Sequence, residues 1–262
     1  MKTRSWWLYI LFFFFSQLAG GGVAYALAAT GVLTGMWSLI VSLLVANLLA
    51  IGLFLLWRPY DITWAATLAG VHGRKGRRTG LVFLMALPII ILVNLIQEAF
   101  FPELPDLVGE ETFKAIMYNP LGMVTVALLG PVAEELLFRG GVQKDLQTRY
   151  AEQGPAVAIA LSAVLFAIAH MNPAQMPAAL ILGLVLGFAF WWTGSLAASI
   201  CIHVFNNSMA CFLSLLSPDD DSLIHFLGGT EQAGVLAVVC VFFLLIILHV
   251  VRNEAKKGME KD

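Results

Sequence analysis

Runs of mostly apolar residues, each long enough to cross or nearly cross a bilayer, occupy most of this 262-residue chain. A spanning helix needs about 20 such residues. Eight candidate runs are present, at roughly 6–28, 33–57, 80–100, 118–143, 155–171, 176–193, 195–216 and 233–251. Lipid offers the backbone no hydrogen bonds, so each run must satisfy its own as a helix. The expectation is an all-α, polytopic membrane helix bundle of about eight transmembrane helices, with residues 1–262 forming a single integral membrane domain. Only 12% of the residues are charged, against about 25% in soluble domains. The fourth run carries charges, and the fifth is short before Met171-Asn172-Pro173. Lys2 and Arg4 ahead of an apolar run resemble a signal peptide, but the run from Trp6 is long enough to span. It is read as an uncleaved first helix.

Lysine and arginine set the expected orientation. With the N-terminus in the cytoplasm, fourteen of the fifteen basic residues fall on the cytoplasmic side. They are Lys2 and Arg4; Arg58, Arg74, Lys75, Arg77 and Arg78; Arg139, Lys144 and Arg149; and Arg252, Lys256, Lys257 and Lys261. Lys114 alone falls outside. The opposite loops are acidic, with Glu98, Glu103, Asp106, Glu110 and Glu111 in one, and Asp219 to Asp221 and Glu231 in another. An even helix count with both termini cytoplasmic satisfies the rule. The loop from Arg58 to Arg78 suits anionic lipid headgroups, and His72 within it has no catalytic role. A net charge of −2 gives no sign of a nucleic-acid partner. Cys201, Cys211 and Cys240 lie in apolar stretches without a CxxC pair and read as buried packing residues. Gly183 and Gly187 are spaced for close approach of two helix backbones, read as packing within the chain, with a dimer interface as the alternative.

Three places hold polar groups where lipid would penalise them, which marks them as functional candidates. The first is Gly130-Pro131-Val132-Ala133-Glu134-Glu135-Leu136-Leu137-Phe138-Arg139. On a helix, Glu135 and Arg139 are neighbours and can pair, while Glu134 points about 100° away. One carboxylate is then held and the other is free to face a cavity. Pro131 lacks an N–H and disturbs the turn before Glu134, leaving the carbonyl of Ala127 unpaired. The second place is Phe166-Ala167-Ile168-Ala169-His170. The third is His203-Val204-Phe205-Asn206-Asn207, where His203 and Asn207 share a helix face. Each has a plainer reading taken alone: a helix end at the interface, a histidine bonded to a backbone carbonyl, an interhelical hydrogen bond. His225, His249 and Glu98 read as interfacial or solvated.

Together the three places supply a chemistry. A carboxylate can act as general base on water, and imidazoles and an amide can hold that water or donate to an oxyanion. Glu134, His170 and His203 could instead hold zinc with an open position, although HExxH puts both histidines on one helix and here they lie on two.

The residues Glu134-Glu135-Leu-Leu-Phe-Arg139, Phe166-Ala-Ile-Ala-His170 and His203-Val-Phe-Asn-Asn207 match EExxxR, FxxxH and HxxxN in order. In these the chain resembles the CAAX prenyl protease and bacteriocin-processing (CPBP, or ABI) family of intramembrane endopeptidases. The resemblance covers about residues 118–212, the expected catalytic core. It implies Glu134 as the base that activates water, His170 as a residue holding that water, and His203 and Asn207 as water or oxyanion ligands. Glu135 and Arg139 would be supporting residues. Members of the family are described as metalloproteases and as metal-independent glutamate-type proteases. Asn207 is a poor zinc ligand and a good oxyanion donor, which favours a reaction requiring no cofactor, with zinc as the alternative.

The expected function is thus an intramembrane endopeptidase acting on a membrane-associated peptide or protein reaching the site from the cytoplasmic side. Short loops suggest a prokaryotic inner or plasma membrane, and the family's name does not establish prenylated substrates. The rival classes are a non-catalytic immunity or scaffold protein and a proton-coupled transporter. One geometric tension stands: His170 lies roughly 22 Å from the start of its helix and Glu134 roughly 15 Å from Lys144.

Overall fold

The computed structural model describes residues 5–57, 73–101, 104–107, 109–216 and 222–259. Lys2, Arg4, Arg58, His72, Glu103, Asp219 to Asp221 and Lys261 lie outside the described residues. Among those described, ten helical elements follow one another: α1 Trp6–Ala29, α2 Met36–Trp57, α3 Gly73–Phe100, α4 Glu110–Met117, the composite α5 Pro120–Arg149, α6 Pro155–Ala169, α7 Met176–Thr193, α8 Leu196–Leu216, α9 Leu223–Phe226 and α10 Thr230–Met259.

Seven of these are long and apolar enough to cross a membrane. The eighth expected span, the fifth in order, is α6, whose 15 residues reach about 22 Å, short of the roughly 30 Å hydrocarbon core. It ends earlier than the expected 171 because Met171 turns to φ 48°. The chain then folds back through Asn172, whose carbonyl accepts the N–H groups of Gln175 and Met176 at 2.9 and 3.1 Å.

The outer and inner faces are partitioned opposite to a soluble protein. Leu18, Tyr25, Leu56 and Val238 are 70% or more exposed, while Glu135, Arg139 and Gln143 are fully buried. Lipid as the outer solvent explains both halves of that pattern. The protein is a multi-pass membrane protein. Cys211 and Cys240 are buried as expected; Cys201 is exposed, a correction that follows from its place on the outward face of α8.

α5 runs through the middle of the bundle. Asn119 starts it, its side-chain oxygen accepting from the N–H of Leu121 at 3.0 Å and of Gly122 at 3.3 Å, with Pro120 in the first turn where no N–H is needed. Further along, Gly140 and Gly141 let aromatic rings approach the backbone. A Cβ on Gly140 would lie 2.8 Å from Phe54 of α2, and one on Gly141 would overlap the ring of Tyr9 of α1. Asp145 then binds the N–H of Trp6 at 2.9 Å, fixing the start of α1. α6 and α7 cross closely at Gly183, where a Cβ would lie 3.1 Å from Ala163. The glycine pair thus serves packing within the chain. α10 lies at the edge of the bundle beside α3.

Candidate active site

α5 is not a uniform α-helix. Thr125–Leu129 and Leu136–Gln143 are π-helical, flanking the α-helical turn Gly130–Glu135. Such segments are rare and occur often at functional sites. Pro131 explains the first. The N–H of Gly130 reaches Thr125, five residues back, so in this register the donor missing from Pro131 is the one Val126 would have used. The freed carbonyl is therefore that of Val126, not Ala127 as α-helical register implies. Asn207 of α8 takes it, Nδ2 donating at 3.1 Å. The proline of the first motif and the asparagine of the third are joined through one backbone carbonyl.

The two carboxylates separate as the helix geometry predicts. Glu135 is fully buried, with Oε1 3.0 Å from Nη1 of Arg139 and 3.0 Å from Nδ1 of His203. Arg139 also donates from Nη2 to the carbonyl of Gly183 at 3.1 Å, and its guanidinium lies 4.5 Å over the ring of Phe166. Gln143, one further turn along α5, donates to the carbonyl of Gly187 at 2.8 Å. Both carbonyls of the glycine pair thus receive buried donors from α5. Gln143 escapes sequence reasoning because a glutamine beside Lys144 looks like the end of a span. Its spacing from Arg139, equal to that of Arg139 from Glu135, is the available signal.

Glu134 keeps 23% of its side chain exposed, and it lines a cavity of about 530 Å³ with His170, His203, Asn206 and Asn207. Nε2 of His203 lies 3.7 Å from Oε2 of Glu134, too far for a direct hydrogen bond and close enough for one water to bind both. His203 Nδ1 faces a carboxylate, so the proton sits there and Nε2 is turned to the cavity. His170 behaves likewise, with Nδ1 donating to the carbonyl of Phe166 at 2.8 Å, which leaves Nε2 without that proton. Phe166 stands edge-on to both rings, 4.7 Å from His170 and 5.6 Å from His203. The depth tension is thereby absorbed, since Glu134 and His170 line one cavity. Asn207 accepts from Asn206 at 3.1 Å and retains one amide N–H beyond that given to Val126.

Glu134, His170 and His203, the alternative zinc ligands, line the same cavity. Among the described residues no three His, Cys, Asp or Glu side chains are grouped to hold an ion, and the amide of Asn207 is committed to a backbone carbonyl. His225 lies in the short α9, and His249 pairs with Asn253 at 3.0 Å; neither lines the cavity. Glu98 caps α9, accepting from the N–H groups of Leu223 and Ile224 at 2.7 and 2.9 Å.

The cavity extends from mid-depth toward the ends of the helices that carry the acidic loops. Its lining includes Gln17 and Asn47 near the middles of α1 and α2, Gln97 near the end of α3, Phe113 of α4, and Met171 and Gln175. Met171 is 59% exposed. The basic ends of the helices contribute none of the lining. α6 delivers His170 at its far end from Pro155, so the cavity opens on the acidic-loop side of the bundle.

Residues 117–209 match the family described as type II CAAX prenyl endopeptidase Rce1-like. Over 119 residues the chain is 30% identical to the membrane-embedded CAAX protease MroQ of Staphylococcus aureus (strain USA300), a stretch that is 44% of this chain and 45% of that protein. The chain thus spans about half the length of the curated relative it matches. No solved structure matches it. The family match falls on α5 to α8, and a bacterial membrane-embedded relative agrees with placement in the cell membrane.

Proposed function

We propose that this chain, similar over residues 117–209 to the CAAX protease family, is an intramembrane endopeptidase that hydrolyses a peptide bond of a membrane-associated peptide or protein with glutamate-activated water. The observation that carries the reading is the 3.7 Å approach of Glu134 Oε2 to His203 Nε2 at the wall of a cavity, with His203 held from behind by Glu135. Residues 118–212 form the catalytic core of a single membrane domain with both termini cytoplasmic.

Water bound between Glu134 and His203 attacks the scissile carbonyl. Glu134 takes the proton as the C–O bond forms. His170 Nε2 and the remaining amide N–H of Asn207 orient the water and the tetrahedral oxyanion, the imidazole donating when protonated. The oxyanion collapses, the C–N bond breaks, and Glu134 returns its proton to the leaving amine, so a carboxylic acid and an amine are released and the Glu134 carboxylate is restored. Glu135 fixes the tautomer of His203, and Arg139 neutralises the fully buried Glu135. The positive-inside count puts the acidic loops, and so the cavity, toward the extracytoplasmic face.

The experiment is cleavage of quenched-fluorescent apolar peptides, farnesylated and unmodified, by the purified chain in proteoliposomes, with and without a strong chelator. Turnover that survives chelation supports the metal-free reading. Turnover abolished by chelator and restored by zinc replaces it with metal chemistry. Absence of turnover from folded protein across the panel favours a non-catalytic role.

A further inference from the structure

The same cavity holds an unusual share of the chain's carboxamides. The sequence has fourteen Asn and Gln residues, and seven line this one cavity. Besides Asn207 they are Gln17 of α1, Asn47 of α2, Asn94 and Gln97 of α3, Gln175 ahead of α7 and Asn206 of α8. They converge from separate helices, so no single helix–helix hydrogen bond accounts for them. Some are partly engaged: Asn94 donates to Ile90 at 2.8 Å and Gln97 to Ala174 at 2.7 Å. Yet Oε1 of Gln97 is buried with no hydrogen-bond partner. Asn47 is only 8% exposed, and no residue described bonds its amide.

Resting on the endopeptidase reading, we infer that these carboxamides form a strip that binds the backbone of an extended, uncharged, unmodified peptide segment beside Glu134. A carboxamide offers a donor and an acceptor together, the complement of a peptide unit, and an extended segment presents one such unit every 3.3 Å or so. An isoprenoid chain in this cavity would leave those groups unpaired in lipid, which disfavours it. Glu134, His170 and His203 are the lining's ionisable side chains, and all three are assigned to the reaction, so the lining has no further ionisable group to pair with a charged side chain on the substrate. Recognition runs through the main chain and tolerates varied apolar side chains, as peptide recognition through backbone hydrogen bonds does elsewhere.

The test uses the full chain carrying Glu134→Gln in proteoliposomes and measures binding of a fluorophore-labelled 20-residue Leu/Ala peptide. A series with one backbone N-methyl group moved along the peptide removes single donors without changing the side chains. The expected result is saturable binding that weakens about tenfold when the methyl group falls within a window of a few residues. Asn47→Leu and Gln17→Leu are each expected to weaken binding about fivefold and to shrink the N-methyl penalty, while farnesylation of the peptide adds no affinity. No saturable binding, indifference to N-methylation at every position, indifference to both leucine variants, or affinity dominated by the farnesyl group would each overturn the inference. If the peptide binds as expected but the unsubstituted chain never cleaves it, the endopeptidase reading fails and the backbone-binding strip stands.

Discussion

His203 Nδ1 lies 3.0 Å from Glu135 Oε1, the same oxygen that Arg139 Nη1 reaches at 3.0 Å. One oxygen therefore couples the charge buried in the bundle to the tautomer of a cavity-facing histidine. Glu135→Gln removes the charge while nearly keeping the shape. Its amide can offer Nδ1 either oxygen or nitrogen, so the histidine loses its fixed tautomer. The expected outcome is a fall in kcat of roughly 10²- to 10⁴-fold with KM changed much less, measured on any cleaved peptide. A change confined to KM would assign Glu135 to binding instead.

Arg139 has three attachments: Glu135, the carbonyl of Gly183 and the face of Phe166. Arg139→Leu strands a buried carboxylate, at a cost of about 3–5 kcal/mol, and is expected to lower the detergent midpoint of thermal unfolding and the yield of monodisperse protein. Arg139→Lys keeps the charge but cannot fork between Glu135 and Gly183, so an intermediate loss is expected. The ordering Leu worse than Lys worse than Arg is read by fluorescence-detected size exclusion after heating.

The two glycines of α7 should respond differently to alanine. A Cβ on Gly183 meets Ala163 at 3.1 Å, at its backbone Cα as well as its Cβ; one on Gly187 meets the end of the Gln143 side chain at 2.9 Å. Backbone cannot yield, whereas the end of a long side chain can. Gly183→Ala is expected to cost about 1–3 kcal/mol and Gly187→Ala less, in the same thermal measurement.

Asn207→Leu leaves the carbonyl of Val126 without its partner beside Pro131, worth roughly 1–3 kcal/mol, and also removes the amide N–H assigned to the oxyanion. Asn207→Gln keeps the chemistry one methylene too long. Activity is expected to fall in both, with stability lost chiefly in Asn207→Leu. Equal activity in Asn207→Leu and the unsubstituted chain would remove the asparagine from the reaction.

Much of this was legible from the chain alone because lipid makes polar residues conspicuous. Glu134, Glu135 and Arg139 separate into a cavity-facing and a buried, paired group as side-chain angles on a helix require. What could not be read was the π-helical register, since the choice between Ala127 and Val126 depends on Asn207 reaching across from another helix. Gln17 and Asn47 were equally opaque: a lone amide in an apolar helix resembles an ordinary interhelical hydrogen bond until the helices are assembled. How far toward the acidic loops α6 carries His170 was not legible either, because hydropathy orders the spans without fixing where each one ends.

The central claim is that Glu134 moves the proton of the attacking water. Glu134→Gln keeps the size and polarity of the side chain and deletes its basicity. Steady-state cleavage of one peptide by the two proteins, each shown to be folded by its unfolding midpoint, tests it directly. The account requires kcat to drop by at least about 10² with the midpoint unchanged; turnover by Glu134→Gln within a few fold of the unsubstituted chain would contradict it.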